Sequence, residues 1–186
     1  MIPLLDLWLP IVVAAVAVFL VSSVLHMALT YHRRDYRQLP REAETLDLLR
    51  GLGLSPGLYF FPYAPSHKEM GSPEMVEKRR RGPVGLLVAM PAGPPQMGKY
   101  LGLWLGFCVL VGVLVAWLAG RALVPGALAR AVFCFTATAA FLGYGVGQIM
   151  DSIWKGHPWS NTLRALLDAL VYSLVTAGVF AWLWPR

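Results

Sequence analysis

A chain of 186 residues with 57% hydrophobic and 14% charged side chains carries too little charge for a water-solvated domain, where about a quarter of residues are charged. The deficit excludes an ordinary soluble domain and leaves room for about four spans of ~20 residues. The net charge of +6 raises nucleic acid as a partner, but the basic residues cluster beside apolar runs, as in a cytoplasmic loop of a membrane protein, so no nucleic-acid binding is expected.

Residues 1–30 form the first unit. Met1 to Trp8 holds Asp6 and neither Lys nor Arg, unlike the positive start of a secretory signal, so the run Leu9–Leu29 reads as a retained membrane helix. Trp8 and Tyr31 flank it as interfacial aromatics. Pro10 is tolerated because first-turn N–H groups have no intrahelical partner. His32, Arg33, Arg34 and Arg37 follow.

Residues 31–99 are a basic loop with eleven of the sixteen Lys and Arg residues. Pro40 opens a predicted helix with Glu42 and Glu44 in its first turn, Arg50 in its last and Gly51 just beyond, an order that suits the helix dipole. Leu46 and Leu49 give it an apolar face. Tyr59, Phe60, Phe61 and Tyr63 predict a short strand or an interfacial segment. Ser72 as N-cap, Pro73, Glu74 and Glu77, the run Lys78–Arg81 and then Gly82-Pro83 predict a second helix. Gly85–Met90 pairs with Leu58–Phe61 in a small sheet. Pro91–Gly98 is an extended lead into the next span.

Residues 100–186 form a three-helix bundle of spans Tyr100–Gly120, Ala131–Met150 and Leu163–Leu183, with Trp182 and Trp184 as an aromatic belt. Pro125-Gly126 turns the first connection, and Asp151–Thr162 makes the second. The predicted fold class is an all-α membrane protein: four transmembrane helices with a small α+β cytoplasmic insert between helices 1 and 2. The positive-inside rule puts loop 31–99 in the cytoplasm and both termini outside.

Small residues recur at helical spacing: Gly102 and Gly106, Gly143 and Gly147, and Ala169, Ser173 and Ala177. Such rows let helix backbones approach closely in lipid. They predict bundle packing, with a surface left for a homo-oligomer or a larger membrane complex. Asp168, inside the last span, is the most informative charge. Arg164 lies one turn before it, and the pair is expected to bond. In the connector, Asp151 and Lys155 are spaced for a second pair, Ser160 or Asn161 caps the last helix, and His157 is a candidate titrating group. His26, with Met27, His32 and Asp35 nearby, and His67 with Met70 and Met75, raise metal ligation. Their spacing along the chain matches no known site, so no metal or cofactor is expected, and His26 is assigned an interhelical hydrogen bond. Cys108 and Cys134 read as small buried hydrophobes. Lys78–Arg81 suits anionic lipid head groups. No nucleotide-, zinc- or serine-hydrolase motif is present.

The loop YHRRDY…LSPGLYFFP…GPVGLLVAMPAGPPQMGK followed by SIWKGHPWSNT…TAGVFAWLWP resembles bacterial inner-membrane proteins of unknown function. The resemblance implies a bacterial inner-membrane setting and supplies no catalytic or binding residues. A non-enzymatic accessory, assembly or scaffold subunit is the leading expectation. A small oligomeric transporter or channel, its path lined by Asp168, Gln148, Thr136, Thr138 and Ser173, and an interfacial lipid-modifying enzyme are the alternatives.

Overall fold

The computed structural model describes all residues 1–186. In chain order the elements are a one-turn 3-10 helix Leu4–Leu7, α1 (Trp8–Met27), a 3-10 turn Tyr31–Arg34, α2 (Glu42–Gly51), β1 (Gly57–Phe61), α3 (His67–Met70), α4 (Pro73–Arg81), β2 (Gly85–Ala89), α5 (Met97–Ala122), α6 (Ala129–Tyr144), a 3-10 turn Val146–Gln148, α7 (Ile149–Lys155) and α8 (Trp159–Leu183). They divide into two units, Met1–Tyr36 with Gln96–Arg186, and Arg37–Pro95.

In the larger unit, four helical stretches are long and apolar enough to cross a membrane: Leu4–Met27, Met97–Ala122, Ala129–Lys155 and Trp159–Leu183. Only 28–39% of the most apolar part of each is buried in the protein. The outer faces carry Val12, Val16 and Leu20 of α1, Leu103, Leu110 and Leu114 of α5, and Leu163, Leu167 and Leu170 of α8, all exposed. Continuous apolar faces of this extent are an aggregation hazard in water and a match for lipid.

The four helices pack in a ring, α1 against α5 and α8, and α6 against the same two. Leu7, Val18, Val115, Val132 and Phe180 fill the middle. Small residues set the close approaches: a Cβ on Gly112 would lie 3.3 Å from Ile11, one on Gly143 3.2 Å from Val111, and one on Gly145 2.9 Å from Ala169. Ala169, Ser173 and Ala177 are all buried. Gly102, Gly106 and Gly147 behave differently, with nothing within 4 Å of an added Cβ. Trp104, Cys108, Val111 and Val115 define the inward face of α5. Gly102 and Gly106 sit two positions either side of Trp104, about 200° around the helix, so they point away from it.

The third span departs from its predicted form. Gly143, Gly145 and Gly147 weaken the helix; α6 ends at Tyr144, a 3-10 turn follows, and α7 carries on to Lys155. Asp151 and Lys155 are therefore helical, with their side chains 2.6 Å apart. The connector shrinks to Gly156–Pro158, with Gly156 in the left-handed region (φ 70°) that glycine favours. Pro158 starts α8 at Trp159, before the predicted Leu163, and no side chain caps it. Neither Ser160 nor Asn161 is the cap. Cys108 is buried as predicted, whereas Cys134 faces outward.

The bundle end away from this connector is tied by main-chain groups. The Ile2 N–H donates to Gly120 O at 2.7 Å, and Gly126 N–H to Pro185 O at 2.9 Å. Trp184 is buried with its indole N–H on Val124 O at 3.1 Å, so only Trp182 is placed as an outward belt residue.

The smaller unit follows its turn signals. Ser72 Oγ accepts the Met75 N–H at 3.2 Å, and α4 ends at Gly82 with φ 63°. Lys78 and Arg81 pair with Glu74 and Glu77 at 2.8 and 2.9 Å, so half of the basic run is neutralised within its own helix. β1 and β2 are antiparallel, from Gly57 opposite Ala89 to Phe61 opposite Gly85. Two details differ: α2 begins at Glu42, and Gly51 closes its last turn, the left-handed residue being Gly53 (φ 60°).

The glycine environments predict a contrast. Gly120→Ala places a Cβ 2.8 Å from Ile2 O and should cost about 1–3 kcal/mol, as overpacking does. Gly106→Ala meets nothing and should be neutral or stabilising by up to about 1 kcal/mol. Unfolding in mixed micelles measures both, and equal effects would contradict the packing described.

Candidate functional site

Beyond the end of α1 the chain turns back through Tyr31–Arg34, which brings Tyr31, His32 and Asp35 against α8. They meet Asp168, the tenth residue of α8, roughly 14 Å along its axis at 1.5 Å per residue. Asp168 is only 5% exposed. An unpaired carboxylate in such surroundings is heavily penalised, and this one is paired on both oxygens. The Tyr31 hydroxyl donates to Oδ1, and His32 Nε2 lies 2.7 Å from Oδ2.

The network extends outward. His32 Nδ1 is 2.6 Å from Asp35 Oδ2. Arg164 Nε donates to Asp35 Oδ1 at 2.6 Å, and its Nη2 to Asn161 Oδ1 at 2.8 Å. Asn161 Nδ2 in turn donates to Asp35 O at 3.0 Å. His26 stacks on His32, ring centroids 4.5 Å apart and planes within 9°. Its Nδ1 lies 3.0 Å from Ser22 O, and its Nε2 3.9 Å from Asp168 Oδ2. Ser22 Oγ accepts the Trp104 indole N–H at 2.8 Å, joining α5 to the site.

Donor and acceptor chemistry assigns the protons. A carbonyl only accepts, so His26 Nδ1 carries hydrogen and its Nε2 keeps a lone pair in the neutral ring. His32 faces a carboxylate on each nitrogen, which is met when both nitrogens are protonated. Burial works against that charge as the largest single influence, but the bonds to Asp35 and Asp168 prevail and raise the His32 pKa above its usual value. Burial likewise acts to raise the Asp35 pKa, and the bonds from His32 and Arg164 outweigh it and hold the carboxyl below its usual range. Burial first, then Asp168, raises the Tyr31 phenol. With His32 charged, Asp35 and Asp168 are balanced by Arg164 and His32.

Beside this cluster lies a cavity of about 970 Å³. Trp104, Phe107, Tyr144 and Tyr172 form its aromatic wall, with ring centroids 5.7–6.4 Å apart. Met27, Met97 and Leu101 add apolar surface, and Asp168, His26 and His32 lie at the polar end. The buried Tyr172 hydroxyl, one turn after Asp168, has no hydrogen-bond partner. Buried polar groups are nearly always bonded, which sets this hydroxyl apart. A smaller cavity of about 350 Å³, lined in part by His157 and Asn161, shares Asp35, Tyr36, Gln148, Asp151 and Ala165 with the first.

Of the residues singled out from sequence, Asp168, Arg164 and His26 belong to this network. Asp151 and His157 line the cavities, and Lys155 is exposed. The predicted Arg164–Asp168 pair does not form. Arg164 bonds Asp35 and Asp168 bonds His32 and Tyr31, because the Tyr31–Asp35 segment supplies partners to both. His26 bonds within its own helix rather than between helices. Thr136, Thr138 and Ser173 bond carbonyls of their own helices, and of the proposed path residues Asp168 and Gln148 line this cavity. His67, Met70 and Met75 belong to the other unit. Tyr31, His32 and Asp35 were not assigned to Asp168 from sequence; HRRDY directly after an apolar span was the available signal. Comparison of the chain with protein-family models, with curated proteins and with solved structures found no match.

Two alanine variants separate buried from exposed pairing. Asp168→Ala strands His32 and Tyr31 and should cost about 3 kcal/mol. Lys155→Ala removes an exposed pair and should cost under about 1 kcal/mol. Denaturation in mixed micelles reads both, and an inverted order would refute the role assigned to Asp168.

Proposed function

We propose that the chain is a multi-pass protein of the bacterial inner membrane that binds one amphiphile of the lipid class in the cavity beside Asp168. Residues 37–95 then lie in the cytoplasm and both termini outside, in keeping with the positive-inside rule. The observation that carries the reading is the cavity's two-ended lining, four aromatic rings on one side and the His–Asp cluster on the other. Ligand sites are mostly apolar with a few placed polar groups.

The cluster favours a particular head group. Its charges balance internally, which gives a fixed ionic head little advantage. Tyr172 offers a hydroxyl and His26 Nε2 a lone pair, which together suit a neutral head that both donates and accepts, such as a hydroxyl. The packed interior at Val115, Ala119 and Phe180 weighs against a continuous polar channel. A lipid-holding accessory subunit is the function this reading supports best.

Gly147 lines the cavity and has open space where a Cβ would stand, so Gly147→Leu adds side-chain volume at the cavity wall. Purification in mild detergent followed by lipid extraction and mass spectrometry should recover about one amphiphile per chain from the native protein. Gly147→Leu should lose most of it while folding normally. No bound amphiphile in the native protein, or equal retention by the variant, would contradict the reading.

A further inference from the structure

We propose that His26, His32 and Asp168 form a binding site for a divalent first-row transition-metal ion at the polar end of the cavity. One ligand atom from each residue lies within 4.8 Å of the others. Two histidines and one carboxylate with open positions toward a cavity are a donor set used for iron(II) and related ions. Neither cysteine is part of it.

The second ring nitrogen of each histidine is also engaged. Ligating histidines characteristically donate their second ring N–H to a carbonyl or carboxylate, which fixes the tautomer and aims the lone pair. Both histidines here do so: His26 Nδ1 lies on Ser22 O and His32 Nδ1 on Asp35. Asp35 is held by Arg164 and Asn161, and the second oxygen of Asp168 by Tyr31. Each donor therefore has the supporting partner that metal sites show.

The spacing brackets what an ion needs. Ligands about 2.0–2.1 Å from a tetrahedral ion stand roughly 3.3 Å from one another. The His32–Asp168 pair is 2.7 Å apart and the His26–Asp168 pair 3.9 Å. Capture requires the first pair to open and His26 to tilt out of its stack on His32. The His26 side chain is 52% exposed and has room for that movement. In the metal-free state the proton on His32 Nε2 bridges it to Asp168; the ion takes that proton's place, and the proton leaves to solvent. The exchange gives the cluster an excess of one positive charge, which attracts a Lewis-basic group of whatever molecule occupies the cavity. The ion uses the His26 Nε2 lone pair that the metal-free site offers to a hydroxyl head, so metal binding does not depend on the amphiphile reading.

The test uses full-length protein in detergent, purified without a histidine tag and stripped with chelator. Cobalt(II) titration followed by visible absorption should show one ion per chain in an ordered ligand field. His26→Ala is the decisive variant, because His26 makes no close contact with Asp168 and its removal leaves the Asp35–His32–Asp168 chain intact. It should weaken cobalt binding by at least about 100-fold with unchanged near-ultraviolet circular dichroism. Asp35→Asn, a change of a positioning residue, should weaken it by about 10–100-fold. His67→Ala, in the other unit, should have no effect. Native protein that binds no cobalt in stoichiometric amount, or His26→Ala with native affinity, would overturn the proposal.

Discussion

A carboxylate buried among apolar helices is the constraint around which the larger unit is arranged. Asp168 is only 5% exposed, and its ionised form is stable there only with close partners. α8 itself supplies none: Arg164 is on the same face but turns outward to Asp35. The partners come from the segment after α1, which must leave the helix and fold back to present Tyr31 and His32. One charge thereby ties the turn after α1 to α8.

The two ends of the bundle differ. At the end tied by Ile2 to Gly120 and by Gly126 to Pro185, main-chain bonds and small residues draw the helices together. At the Asp168 end, long polar side chains and four aromatic rings stand between them. α6 also breaks there at Tyr144, and α7 continues after a 3-10 turn. The cavity is the space these differences leave. Its polar end comes from the paired charges, and its apolar wall from residues such as Trp104, whose indole N–H is bonded to Ser22 on α1.

Local signals were legible in the sequence wherever a residue acts on its own neighbours. Ser72, Pro73 and Gly82 bracket α4 as read, and the short strands pair where their aromatic and aliphatic runs predicted. The four apolar stretches were equally plain, since twenty apolar residues have few other fates. What failed was the choice between partners. Arg164 and Asp168 at i,i+4 make a sound local pair, and only the fold shows that His32 and Asp35, over 125 residues away in sequence, displace it. Small-residue spacing names rows without saying which side faces inward: an added Cβ on Gly143 meets Val111, whereas on Gly102 and Gly106 it meets nothing. His26 and His32 stand out as possible ligands in the sequence, but their spacing along the chain says nothing of Asp168, which only the fold brings beside them.

Asp168 is bonded to His32 and not to Arg164, so its energetic coupling runs first to His32. Two double-mutant cycles in mixed micelles measure this directly, one pairing Asp168→Asn with His32→Gln and the other pairing it with Arg164→Gln. The structure predicts a coupling of about 1–3 kcal/mol in the first cycle and a clearly smaller one in the second, where the two groups are linked only through His32 and Asp35. The reverse pattern, with Arg164 coupled and His32 independent, would contradict it.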